Sequence, residues 1–307
     1  MAEQSKFKNE FSWSKSRDDL SRRCQRAYYY HYYGSWNGWL ADAPSEIKEL
    51  YIMKNLETIP MCRGRIVHEV LEGVVGGIKG GTQWSVDEAV RMARQRAQRD
   101  FEDSRSGAYR SWPKRLCGLQ DHYYGVPITD EALGAEIAAM EACVKMFYGT
   151  PTYERVLELG PNRIIESEKL QSMVLSGFKV WVKPDLILRD LDRRVTVVDW
   201  KTGLPSAMGE TELQLAIYGL YAVEAHGLTP EQLSGLEVNL RSGEEHFYAL
   251  DKETLEGARL YIENSADRMQ ALLYDPQENI ALIRDFPKVD DLYLCKECRF
   301  RRACDPD

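Results

Sequence analysis

No stretch of this 307-residue chain is apolar for long enough to span a bilayer, and its opening MAEQSKFKNEF lacks the hydrophobic centre of a secretory signal. The expectation is a soluble, cytoplasmic protein that does not engage a membrane. A paired cysteine framework is missing as well. Seven cysteines, odd in number and unevenly spaced, fit a reducing compartment in which thiols act as ligands rather than bridges. A general excess of positive charge is also absent: 40 Lys/Arg against 48 Asp/Glu leave a net charge of -8, which argues against a surface coated for phosphate binding. Repeats and low-complexity tracts are not found. A chain of this length can bury a large core, so one elaborated domain, or one with a small satellite, is expected.

The charge that is present is unevenly spread. The first 120 residues hold 20 Lys/Arg and 15 Asp/Glu, so the acidic excess lies in the remainder. Nucleic acid could therefore bind locally, at RDDLSRRCQR, RMARQRAQR or RSWPKR, although a solvated helix face explains each of these as well, above all RMARQRAQR with its amphipathic spacing.

Four cysteines stand apart. Cys295, Cys298 and Cys304 form a tight C-x2-C-x5-C group near one end of the chain, and Cys24 lies in a similar basic stretch, SRRCQRA, near the other. Thiolates at such spacing can converge on tetrahedral zinc or on an iron-sulfur cluster, and the spacing leaves both open. Cys62, Cys117 and Cys143 compete with Cys24 for the fourth place, but Cys143 falls on the apolar side of EIAAMEACVKMF and reads as core. The implied picture is a metal clip tying the two ends of the fold together.

The hydrophobic period predicts helices over SKSRDDLSRRCQRAYYYHYY, CRGRIVHEVLEGVVGG, SVDEAVRMARQRAQRDFED and TDEALGAEIAAMEACVKMFYG, the last capped by Thr129 or Asp130. After Pro161 the period shortens. IIESEKLQ, MVLSG, FKVWVKPDLILRD and RRVTVVDWK read as strands of an antiparallel or mixed sheet. A helix over ETELQLAIYGLYAVEAHG then ends at Gly227. Two strands, LEVNLR and HFYAL, and a long helix from Asp251 to about Tyr274 complete an α/β core wrapped by helices.

The chemistry concentrates in the strand region. Asp199 and Lys201, two apart in VVDWKTG, point to one face while Val198 and Trp200 point to the other. A hairpin through RDLDRR would set Asp185, of KPDLIL, beside Asp199. Two such carboxylates repel unless a cation lies between them, and oxygen-rich coordination favours Mg2+ or Mn2+. Taken alone, the Asp-x-Lys triplet favours a strand-end ion pair. The surroundings add to it: Gln214 and Tyr218 stand at i and i+4 on the following helix with Tyr221 on the same face, His68 lies in GRIVHEVLEG, and Glu168 is either a further carboxylate or an edge-strand charge. The aromatic run YYYHYYGSWNGW after Cys24 reads either as tyrosines packing a helix into the core or as a stacking platform for unpaired bases.

GRIVHE, KPDLIL, DWK and QLAIY, in that order and at those intervals, resemble the histidine, first acidic, second acidic and Q-x3-Y motifs of the PD-(D/E)XK nuclease superfamily, in its RecB-like exonuclease branch. The four cysteines extend the likeness to iron-sulfur members of that branch, such as the CRISPR-associated RecB-like exonucleases and the AddB-type nuclease domains. The resemblance runs from about Cys24 to Cys304. It implies a restriction-endonuclease-like mixed-sheet core flanked by helices, with a helical amino-terminal segment over 1–60, a nuclease core over 61–275 carrying a helical insertion at about 80–150, and a cluster-binding segment over 276–307.

Carried over by residue, the resemblance makes Asp185, Asp199, His68 and the main-chain carbonyl of Trp200 the Mg2+ or Mn2+ ligands. Lys201 would position water and stabilise phosphate charge, Gln214 and Tyr218 would contact the substrate or brace the site, and Cys24, Cys295, Cys298 and Cys304 would hold a 4Fe-4S cluster. Many members carry glycine shortly before the first acidic residue, where this chain has Lys183 and Pro184, with Gly177 nearby. The implied activity is a metal-dependent DNA exonuclease working from single-stranded ends in recombination, repair or end trimming, with a helicase, an integrase-like complex, a recombination protein or further copies of itself as partners. The competing reading is a catalytically silent DNA-binding or adaptor protein on the same fold.

Overall fold

The computed structural model describes residues 8–203 and 209–304; part of the amino-terminal stretch read for a signal lies outside them. In chain order the elements are β1 (Ser12–Trp13), α1 (Lys15–Arg23), α2 (Gln25–Tyr29), α3 (Ser45–Lys54), β2 (Leu56–Glu57), α4 (Ile59–Lys79), α5 (Val86–Arg105), β3 (Gly118–Leu119), α6 (Gln120–Tyr123), α7 (Asp130–Tyr148) and α8 (Pro151–Leu159). They continue with β4 (Ile164–Ser167), β5 (Gln171–Leu175), β6 (Phe178–Val182), β7 (Leu186–Arg189), β8 (Val195–Lys201), α9 (Glu210–His226), β9 (Leu233–Asn239), β10 (Glu245–Ala249), α10 (Lys252–Gln270), α11 (Leu292–Lys296) and α12 (Arg301–Cys304).

Local chemistry sets the helix starts. Thr58, Thr129, Thr150 and Asp251 each cap a helix by accepting a backbone N–H, and Ser85 with Glu88 forms a full capping box. Gly227, in the left-handed region, ends α9. Two expected boundaries shift. The helix predicted across SKSRDDLSRRCQRAYYYHYY breaks at Cys24, whose extended backbone (φ -163°) ends α1 and starts α2, after which Tyr30–Gly34 widens into a π-helical turn. The last long helix stops at Gln270 rather than near Tyr274.

A five-stranded sheet, ordered β10-β9-β8-β7-β4, forms the centre. It is mixed: β7 and β8 are an antiparallel hairpin, whereas β8 and β9 run parallel with α9 as the crossover. Strand alternation divides the core between the two sheet faces. Leu186, Leu188, Val198 and Trp200 pack with α4, α5 and α7, while Ile187, Val195 and Val197 pack with α9, α10 and the small β1-β6-β5 sheet. Helix α4 supplies Ile66, Val67, Val70, Leu71, Val74 and Val75 at helical spacing, all buried, each contributing roughly 1.5–3 kcal/mol of burial.

Among the described residues, the amino-terminal and carboxy-terminal segments meet on one side of this core. The Arg26 backbone N–H and Nε donate to Pro287 and Phe286 carbonyls at 3.1 and 2.7 Å, Tyr30 Oη donates to Ala303 O at 3.0 Å, and Arg299 Nη1 donates to Lys54 O at 3.0 Å. The tyrosines of the aromatic run pack inward, whereas Trp39 at its end stays exposed: Tyr28 and Tyr30 are buried, and Tyr28, Tyr29 and Tyr33 surround the buried Phe286. RMARQRAQR is an ordinary amphipathic stretch of α5, with Ala93 and Ala97 inward and Arg94 and Arg96 paired to Glu141 and Glu69. No helix among the described residues is long and apolar enough to cross a membrane.

Candidate active site

The β7–β8 hairpin pairs Leu186 with Val198, which puts Asp185 and Asp199 side by side at the sheet edge where β8 ends. Alternation then sends Asp199 and Lys201 to the face covered by α9, the helix that carries Gln214 and Tyr218. The result is a cleft of about 680 Å³ lined by Asp185, Asp199, Lys201, Gln214, Tyr218, His68 and the Trp200 main chain. Every residue expected at the catalytic centre from sequence therefore borders one cleft. Tyr221 does not; its hydroxyl donates to Glu166 at 2.8 Å instead of facing the site.

Sequence periodicity did not single out three further charged residues that line the same cleft, Arg65, Glu69 and Lys183. Glu168, left open as an edge-strand charge, is buried and belongs to the site as well. Its left-handed backbone (φ 50°) follows β4, and its N–H donates to the carbonyls of Pro184 and Asp185, so its side chain departs from strand alternation and turns inward. Glu237 pairs with Asp199 across the parallel β8–β9 ladder and adds negative charge on the same sheet face. Arg65 forks between Glu57 and Asp100, at 2.7 to 2.9 Å, and fixes the start of α4.

His68 Nδ1 sits 2.7 Å from Glu168 Oε1 and 3.2 Å from Asp185 Oδ1. Burial alone would lower this imidazole; the two carboxylates prevail and hold it well above the usual histidine range. Asp185 is pushed up to about 6, by burial first, against the pull of His68. Burial likewise raises Asp199 despite Lys201, whose Nζ lies 2.7 Å from Asp199 Oδ2. That contact is an ion pair without hydrogen-bond alignment, so the buried Oδ2 has no hydrogen-bond donor. Lys183 Nζ, 2.6 Å from Glu168 Oε2, completes an alternating array of acids and bases.

The donor set suits a hard divalent cation. One ligand atom each from His68, Glu168 and Asp185 falls within 4.8 Å of the others, and Asp199 adds a buried carboxylate oxygen without a donor.

A second constellation lies where the chain ends meet. Cys24, Cys295, Cys298 and Cys304 line one cavity of about 290 Å³, together with Arg23, Lys288, Arg299 and Arg301. None of the four is in a disulfide. The competing cysteines are elsewhere: Cys62 and Cys117 face each other at 3.9 Å beside Glu57, and Cys143 is in the core.

The chain belongs to the PD-(D/E)XK nuclease superfamily, whose profile matches residues 12–305. It is thereby a nuclease by class, of a superfamily of metal-dependent hydrolases that act on DNA. Among solved structures it is similar to SSO0001, at 16% identity over 68% of this chain and 81% of that one, with a TM-score of 0.30. It is also similar to a Eubacterium rectale protein that bears a provisional exonuclease name, at 13% identity over 75% and 87% of the two chains, with a TM-score of 0.37. No curated protein matches the chain.

Proposed function

We propose that the chain is a metal-dependent DNA exonuclease that removes nucleotides from single-stranded ends, within the RecB-like branch, and serves recombination, repair or end trimming. The observation that carries the reading is the convergence of Asp185, Asp199, Lys201, His68, Gln214 and Tyr218 on one cleft. Asp185, Asp199, Glu168 and His68 would hold Mg2+ or Mn2+. The Trp200 carbonyl supports them: in an extended strand the N–H and C=O of one residue face the same side, and the Trp200 N–H already reaches Asp185. A bound dication supplies Lewis-acid polarisation and charge neutralisation at the scissile phosphate.

The protein's own groups do the rest. Lys201, held cationic against Asp199 with its pKa raised in spite of burial, offers a fixed positive charge to the phosphate and a donor to orient water. Tyr218, whose hydroxyl burial keeps protonated, and Gln214, hydrogen-bonded to it, brace the opposite wall. Contacts to phosphate carry no base information, so cleavage is expected to show little sequence preference and strong salt dependence.

The four thiols are assigned to a 4Fe-4S cluster. Support comes from their shared cavity, much larger than one ion, and from the arginines and lysine around it, which offset the charge of four thiolates. In this reading the cluster holds the ends of the chain over the nuclease core, and a helicase, an integrase-like or recombination protein, or another copy of the chain delivers the DNA end.

The test is direct. End-labelled single-stranded DNA is incubated with the purified protein and Mn2+, beside covalently closed circular single strands. Mononucleotide or short-oligonucleotide release from the linear strand alone is expected. Intact linear strands, or equal loss of both substrates, would overturn the exonuclease assignment.

A further inference from the structure

A second opening lies away from the catalytic cleft, between the loop that follows the aromatic run and the segment around residue 112. Its volume is about 790 Å³, larger than the cleft itself. The loop lies tightly on α3 because position 38 is glycine: a Cβ there would come 2.4 Å from Tyr51 Cβ and 2.6 Å from the Ile47 carbonyl. That approach seats Trp39 edge-on between Trp36 and Tyr51, with ring centroids at 5.1 and 5.8 Å. Trp112 faces them from the other wall.

Two properties of this opening are unexplained by packing. Trp39 and Trp112 are 39% and 57% exposed, although burying an indole is among the larger gains available to a fold. The opening is also basic in a chain of net charge -8, being lined by Lys48, Lys54, Arg110, Lys114 and Arg115. Among the described residues the only carboxylate within 4.0 Å of any of these is Glu49, 3.7 Å from Arg110 and already engaged by the Tyr123 hydroxyl. Arg115 lies 5.3 Å from the Trp112 ring. Burial first, and then the neighbouring Arg17 and Lys114, lower the Lys54 pKa to about 8.

We propose that this groove binds unpaired nucleotides of a nucleic-acid strand, stacking bases on Trp39 and Trp112 and drawing backbone phosphates to Lys54, Lys114 and Arg115. Exposed aromatic faces can take only bases that are free of a duplex, and clustered cations take the phosphates between them. The groove also adjoins the cleft along the chain: Lys54 ends α3, and α4 follows with Arg65 and His68 in the cleft. From Ile59 to Arg65 the helix advances only about 9 Å. The proposal rests on the nuclease reading for its biological sense, since it gives the single strand a path to the catalytic residues.

Binding is measured without metal, so that it does not depend on cleavage. A fluorescein-labelled oligo(dT) strand and a blunt duplex are titrated in EDTA, with anisotropy and tryptophan emission recorded. The parent is expected to bind oligo(dT) with quenched tryptophan emission. Trp39→Ala and Trp112→Ala should each weaken this about tenfold, and Trp112→Phe by less. Lys114→Ala should reduce the salt slope by about one. Parent-like oligo(dT) affinity in both alanine variants, with unchanged melting temperatures, would overturn the proposal. So would a failure of the parent to bind oligo(dT), which would assign the groove to a protein partner.

The same proteins assayed with Mn2+ separate the two readings. Cleavage by the parent with groove variants unimpaired in binding defeats the groove alone. Loss of binding in the variants without cleavage by the parent defeats the nuclease reading alone.

Discussion

The backbone N–H of Trp200 donates to Asp185 Oδ2 at 2.6 Å. This one bond locks the acidic residue at the start of β7 to the strand that carries Asp199 and Lys201, and it leaves Asp185 Oδ1 directed at His68, 3.2 Å away. The carboxylate is thereby oriented by the sheet rather than by a flexible loop. A site held in this way is preorganised for charge.

Asp185 and Asp199 are adjacent in register, and burial raises the pKa of both, so each gains from a cation placed between them. Mn2+ is expected to raise the melting temperature of the parent, by the equivalent of about 2.7 kcal/mol at a hundredfold excess over Kd. Asp199→Asn should remove most of that shift. It should also slow cleavage roughly thousandfold, the rate equivalent of about 4 kcal/mol. Differential scanning fluorimetry with and without Mn2+ reads the first effect independently of activity. A parent-like shift in Asp199→Asn would take Asp199 out of the ligand set.

Cys24 is the thiol on which the cluster assignment turns, because it alone comes from the amino-terminal side. Protein purified without oxygen should be brown with broad visible absorption, and Cys24→Ala should lose colour, iron content and thermal stability together. Cys143→Ala, in the core, should keep its colour. A colourless parent that contains zinc would replace the cluster with a single ion.

The amino-terminal helix has a second anchor that involves no metal. Asp18, 1% exposed, accepts from Tyr261 Oη and Ser265 Oγ of α10, and Ser265 Oγ in turn accepts from Trp13 Nε1 at 2.9 Å. Asp18→Ala leaves the buried Ser265 hydroxyl and the half-buried Tyr261 hydroxyl without this acceptor. A loss of about 2–4 kcal/mol in urea denaturation is expected. An unchanged midpoint would show that the network contributes nothing net.

The sheet and its acids were legible in the sequence for a simple reason. Strand alternation and one short turn determine where Asp185, Asp199 and Lys201 point, and the i, i+4 spacing does the same for Gln214 and Tyr218. Glu168 was left ambiguous because a left-handed residue after β4 breaks that alternation. The break at Cys24 was hidden because the helical period continues through it, while the bond that competes with the helix comes from the distant Pro287 carbonyl. The tryptophan groove was legible only in halves, with YYYHYYGSWNGW open to reading as a stacking platform and RSWPKR as a basic stretch, and nothing in the sequence joined the two. Its walls are some seventy residues apart in sequence, and both tryptophans sit outside the regular helices and strands, where no period places them.

His31 offers a pH test that is independent of the acids in the cleft. Burial, with Lys54, Arg299 and Arg17 nearby, holds its pKa well below 6.5 in the folded protein. Above about pH 6.5 the ring is neutral in both folded and unfolded chains and contributes nothing. As pH falls below that value the unfolded chain takes up a proton that the native ring refuses, so stability is lost until the folded pKa is reached. His68, raised rather than lowered, acts in the opposite sense but is common to parent and variant. His31→Gln should therefore lose less stability than the parent between pH 7 and pH 5, in urea melts at each pH. Parallel profiles would mean that the ring is protonated where it packs, against Tyr32 with centroids 4.4 Å apart.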